Sequence, residues 1–102
     1  MIRMCLMIGN DIDYKFNEEE LLKQVAEYID STYTNHHYSK NRIQTTEFIA
    51  DSGHLMGFAA GSIIKYTQRY GHKGGPEDWR KDLMKTIHCA IIMLSEHDRL
   101  SS

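Results

Sequence analysis

The chain has 102 residues, of which 41% are hydrophobic, 25% charged and a single one proline, and its formal net charge is −2. That is enough chain for one domain with one modest core, so association with further copies would help its stability. The slight acidic balance argues against a general polynucleotide binder. No apolar run approaches the roughly 18 residues of a membrane span. The opening residues Met1 to Ile8 are too short for a secretory signal and lack its small-residue cleavage site. Cys5 and Cys89 form neither a disulfide framework nor a CxxC pair, which points to a reducing compartment and a cytoplasmic protein.

Taken in order, the periodicities predict a mainly α domain over 1–102, a small bundle of three to four helices with a short N-terminal β-hairpin as a possible addition. Residues 1–16 alternate weakly (Ile2, Met4, Leu6, then Ile12, Tyr14, Phe16 around a Gly9-Asn10-Asp11 turn), so they read as a hairpin or a flexible arm. Asn17 before Glu18, Glu19 and Glu20 is a helix start, with Asn17 as the cap and Glu20 as its capping-box partner. That helix runs to about Tyr33 and buries Leu21, Leu22, Val25, Ile29 and Tyr33. Residues 34–42 have no apolar period and read as a loop rich in His36, His37, Tyr38, Lys40 and Arg42. A short helix capped by Thr45 or Thr46 reaches Ala50, Gly53 breaks it, and Leu55 to Tyr70 is a strong helix whose Gly57 and Gly61 suit close backbone packing. The last helix, Pro76 to about His97, carries Trp79, Leu83, Ile87, Ala90, Ile91 and Leu94 as its core-facing stripe. Asp82 and Lys85 then fall on an exposed, salt-bridged face, His88 packs, and 98–102 fray.

Chemistry concentrates between Lys65 and Lys81. Residues 65–85 carry six basic groups against three acidic, whereas residues 1–30 carry seven acidic against three basic. Lys65 and Arg69 share a helix face, Tyr66 and Tyr70 the neighbouring one. Gly71, Gly74 and Gly75 give backbone freedom ahead of the helix opening at Pro76, whose free N–H groups would seat an anion beside Lys73, Arg80 and Lys81. A local positive field of this kind suits a small phosphorylated ligand better than a polynucleotide. Standard signatures are missing: no Walker A loop, no Gly-x-Gly-x-x-Gly, no Gly-x-Ser-x-Gly elbow, no His-Glu-x-x-His.

The order His37-Tyr38, Ile43-Gln44, Glu47-Phe48-Ile49, then Lys65-Tyr66, Arg69-Tyr70, Lys73-Gly74-Gly75, Glu77-Asp78 and Lys81 resembles the SaV-like family of small, mostly phage-encoded proteins, over His36 to Leu94 within a family-like core of 36–94. One class of that family is a podovirus nucleotide kinase that phosphorylates deoxynucleoside monophosphates without a P-loop. Where the family usually has proline between Gln44 and Glu47, this chain has Thr45-Thr46. The resemblance implies phosphoryl transfer, with Lys65, Arg69 and Lys73 neutralising phosphate charge and Glu47 and Asp78 orienting the reacting groups. It implies a ligand held by His37, Tyr38, Gln44, Tyr66, Gly74, Gly75 and Lys81, with ATP or another nucleotide as donor. No metal ligand set is assigned; Glu47, Asp51 and Asp78 leave room for Mg²⁺ without requiring it. Two rivals stay open: a phage protein that sequesters a nucleotide or cyclic-nucleotide signal, and an all-α nucleotide pyrophosphohydrolase. The latter should carry Glu-x-x-Glu and Glu-x-x-Asp motifs on two helices, and none is found in suitable positions. The partners implied are a nucleotide and further copies of the chain in the host cytoplasm, without polynucleotide or membrane.

Overall fold

A computed structural model describes residues 11–34 and 36–102, and the side chains of all of these except 36–41. Four helices follow one another: α1 (Glu18–Thr34), α2 (His36–Asp51), α3 (Leu55–Arg69) and α4 (Pro76–Ser101). The mainly α class is therefore correct. The hairpin expectation falls largely outside the described residues, and 11–17 contain no strand.

Local chemistry sets the helix ends. Asn17 sits at φ 60°, a conformation asparagine tolerates, and its carbonyl accepts the first helical bond from the Leu21 N–H at 3.0 Å. The expected capping box with Glu20 is replaced by Glu18, whose carboxylate accepts from the Phe16 N–H at 2.9 Å. Glu20 instead bonds Gln24 at 3.1 Å. Gly53, at φ 85°, ends α2 as expected, a position where a side chain would be strained.

Residues 34–42 are the clearest correction: most of this stretch is the first half of α2. Apolar periodicity detects helices that pack one stripe, and a polar first half leaves no such trace. Between Asn35 and Asp51, however, there is no glycine or proline to stop a helix that its C-terminal half has nucleated. Thr46 is accordingly no cap; its hydroxyl donates to the Arg42 carbonyl at 2.9 Å, one turn back. Helix α4 also runs past His97, where Glu96 and Arg99 pair at 2.8 Å and hold the final turn in place of the expected fraying.

Each helix touches two others: α3 packs extensively on α4, α1 on α2 and α4, and α2 on α3. The buried apolar residues are Val25 on α1, Ala59 on α3, and Met84 and Cys89 on α4. The expected stripes are only partly in that core. On α1, Val25 is buried but Leu21, Leu22 and Tyr33 are exposed. On α4 the stripe is turned outward: Leu83 is 42% exposed, Ile87 41%, Ile91 44% and Leu94 60%. One buried side of α4 carries Asp82, Cys89 and Glu96, spaced seven apart; buried Met84 lies nearly opposite Asp82, in line with Arg80 and His88, which meet α1. The glycine face of α3 is likewise open, since a Cβ added at Gly57 or Gly61 would meet nothing within 4 Å.

Candidate functional site

The antiparallel pair α3–α4 is closed by a turn of 70–75. Gly71 and Gly74 lie at φ 83° and 75°, and the His72 N–H returns to the Arg69 carbonyl at 2.9 Å. The turn brings the last two turns of α3 against the first turns of α4. Arg69 and Asp82 meet there: the guanidinium donates to both carboxylate oxygens, Nη2 to Oδ1 at 2.7 Å and Nε to Oδ2 at 3.4 Å. Asp82 is only 3% exposed, so the expected solvated-face role is corrected to a buried acid tied across the hairpin. The Arg69 hydrogen bond holds its carboxyl below the usual range against the opposing effect of burial, and Lys85 and Lys73 add to the lowering. Arg69 is raised in turn by the same bond.

One turn before Arg69, the Tyr66 ring collects three cations. Lys65 Nζ lies 4.7 Å from its centroid, Arg69 Cζ 5.1 Å and Lys85 Nζ 5.1 Å. A π-face attracts a cation, and three arranged about one ring repel one another unless an anion intervenes. Deeper in the bundle, Arg42 of α2 donates to the Tyr28 hydroxyl of α1. Its charge also reaches His88 and Cys89 of α4. Tyr28 meets His88 edge to face at 6.2 Å, and the Ser62 hydroxyl of α3 acts on the Cys89 thiol. Burial dominates the titration here: it lowers His88, with Arg42 adding to the effect, and raises Tyr28 and Cys89. The imidazole is thus held neutral, leaving one ring nitrogen as an acceptor and the other as a donor. Lys65, Arg69 and Lys85 form a cationic junction on Tyr66, with the charges of Arg42 and Lys73 acting from its edges, and among the described residues the carboxylate in contact with it is that of Asp82.

Of the residues singled out in the sequence, Lys65, Tyr66 and Arg69 come together, while Lys73, exposed on the turn, reaches them only through its charge on Asp82. The turn is built differently from the expected anion seat. Asp78 folds back and accepts the Gly75 N–H at 3.0 Å, so a carboxylate already occupies the helix start. Gly74 is needed because a Cβ there would overlap that carboxylate. Trp79 packs beside Tyr70, centroids 6.3 Å apart, with its indole N–H buried and unpartnered among the described residues. Lys81 is exposed, and Arg80 donates to the Gln24 side chain on α1. Gln44 and Glu47 line a shallow open hollow on α2 with Phe48, Ala50 and Asp51. His37 and Tyr38 lie outside the described side chains. No group of three His, Cys, Asp or Glu side chains is assembled for a metal among the described residues.

Sequence reasoning passed over Asp82, Lys85, Tyr28, His88 and Cys89 as site members and named Arg42 only within the 34–42 loop. Asp82, Lys85 and Cys89 do share a spacing of three and four, but it is the polar stripe of α4, and the apolar stripe drew attention first.

Fold and junction together define a small all-α protein of four helices, with cations clustered on a phenol ring along the α3–α4 hairpin. The family comparison covers much of that cluster: residues 32–87 match the model of DUF3310, described as a protein of unknown function, and the chain belongs to that family. No curated protein and no solved structure matches the chain.

Proposed function

We propose that this protein binds a small phosphorylated ligand, a nucleotide, at the cationic junction. The observation that carries this is the excess of cations over acids around Tyr66: Lys65, Arg69 and Lys85 on one ring, with Arg69 already engaged by Asp82. A phosphate monoester carries up to two negative charges and three acceptor oxygens, which matches the two lysines left over. Tyr66, Tyr28 and His88 offer ring surfaces for a base. The resemblance to the SaV-like family extends the reading to phosphoryl transfer onto a deoxynucleoside monophosphate, with lysine charge stabilising the transferred group.

A second reading, sequestration of a nucleotide or cyclic-nucleotide signal without turnover, is favoured by the engagement of the groups assigned to catalysis. Arg69 is bonded to Asp82, Asp78 caps α4, and Glu47 lies in the hollow on α2. A single experiment tests both. Calorimetry with a panel of deoxynucleoside monophosphates, cyclic dinucleotides and ATP, run beside chromatography of the mixtures with and without EDTA, should show binding that Lys65→Ala and Lys85→Ala weaken. Diphosphate product establishes transfer, binding without product establishes sequestration, and absence of binding to every nucleotide overturns the proposal.

A further inference from the structure

Helix α4 is 26 residues long, about 39 Å, and presents an apolar stripe that lies beside the α1 contact and that nothing among the described residues covers. Leu83, Ile87, Ala90, Ile91 and Leu94 are all exposed and recur at the spacing of one helix face. A helix whose opposite side already packs on α3 normally turns polar residues outward. This one instead turns Leu83, Ile87, Ile91 and Leu94 partly toward solvent on one face, the kind of exposed apolar grouping found at interaction sites.

The charges at the two ends of the stripe say what covers it. Arg80 and Asp98 lie about five full turns apart and therefore on the same line of the helix as Ile87 and Leu94, one before the apolar run and one after it. Both are exposed. Arg80 donates to Gln24 on α1, which steadies the guanidinium near the stripe and leaves its other donors available. The midpoint between Arg80 and Asp98 is residue 89, half a residue from the midpoint of the stripe. An antiparallel second copy of α4 would then set Ile87 against Ile91, Leu83 beside Leu94, and Arg80 opposite Asp98 at both ends. A parallel copy would set Arg80 against Arg80.

We infer that α4 is the isologous interface of a homodimer, two copies of the helix packed antiparallel through Leu83, Ile87, Ala90, Ile91 and Leu94 and registered by paired Arg80 and Asp98. Two-fold symmetry requires a self-complementary patch, and an apolar centre flanked by opposite charges equidistant from it meets that requirement. The inference is independent of the ligand proposed above, because this face lies on the side of α4 away from Asp82 and Lys85.

Sedimentation equilibrium of the full chain should give about twice the monomer mass of 11.9 kDa. Ile87→Asp should give the monomer mass with an unchanged helical circular dichroism spectrum. Arg80→Asp and Asp98→Arg should each raise the dimer dissociation constant about tenfold by setting like charges opposite each other. The double exchange should restore it. Monomer mass for the wild-type chain at 100 µM or above, on the order of the concentration a weak dimer needs, overturns the inference. So does an Ile87→Asp chain that remains dimeric. Single reversals that leave a dimer unweakened, or are not rescued by the double exchange, overturn the antiparallel register.

Discussion

The Arg69 guanidinium grips the Asp82 carboxylate through both oxygens, 2.7 and 3.4 Å away, and so fastens the end of α3 to the start of α4. The pair has two consequences. It orders the hairpin that carries Tyr66 and Lys85, and it consumes the acid that, among the described residues, would otherwise compensate the neighbouring lysines.

Breaking this pair from the acid side should destabilise the fold and strengthen anion binding. Asp82→Asn keeps the volume and one acceptor but removes the charge, leaving Arg69 partly unpaired. The expected result is a lower Tm together with tighter nucleotide binding at low salt, checked by calorimetric melting and titration. Unchanged affinity with a lowered Tm would confine Asp82 to structure.

Lys65→Ala and Lys85→Ala should each weaken nucleotide binding about tenfold, the usual scale for losing a charge-assisted hydrogen bond to phosphate. The losses should shrink as salt rises from 50 to about 300 mM, because the junction is partly open to solvent. Glu47→Gln, on the separate hollow of α2, should bind normally. Isothermal titration at two ionic strengths decides all three.

Acid should unfold the protein in two stages. The folded pKa of His88 is lowered, chiefly by burial, so below the unfolded histidine value of about 6.5 the unfolded chain takes up a proton that the folded one does not. Stability is full above that pH and falls as pH drops toward the folded pKa. The carboxyls of Asp82 and Glu96 are lowered by their hydrogen bonds to Arg69 and Arg99, so their contributions persist above about pH 4 and are lost as pH falls through their folded values. Denaturant melts between about pH 8 and pH 3 should show both stages, and His88→Gln should flatten only the first.

Gly74→Ala should cost about 2 kcal/mol. Part is the strain of a side chain at positive φ and part the displaced Asp78 cap of the Gly75 N–H. In an Asp78→Ala background the same change should cost about 1 kcal/mol, since the cap is already gone. Urea denaturation of the four chains of this cycle measures the coupling directly.

Helix content was legible because its signals are local: the acid run after Asn17, the break at Gly53 and the proline at position 76 act within a turn or two of chain. The cationic segment was legible for the same reason, since Lys65, Tyr66, Arg69 and Lys73 are near neighbours on one helix and its exit. What the sequence could not convey was which side of α4 meets α3. A 26-residue helix with apolar residues on one side and Asp82, Cys89 and Glu96 on another offers two packing choices of similar plausibility. The contact of Arg69 with Asp82 across the hairpin, together with the short turn through Gly71 and Gly74, selects the polar side. That tertiary choice brought Arg42, Lys85 and Cys89 to the junction and turned Leu83, Ile87 and Leu94 toward solvent, because rotating a helix about its axis moves every residue on it at once.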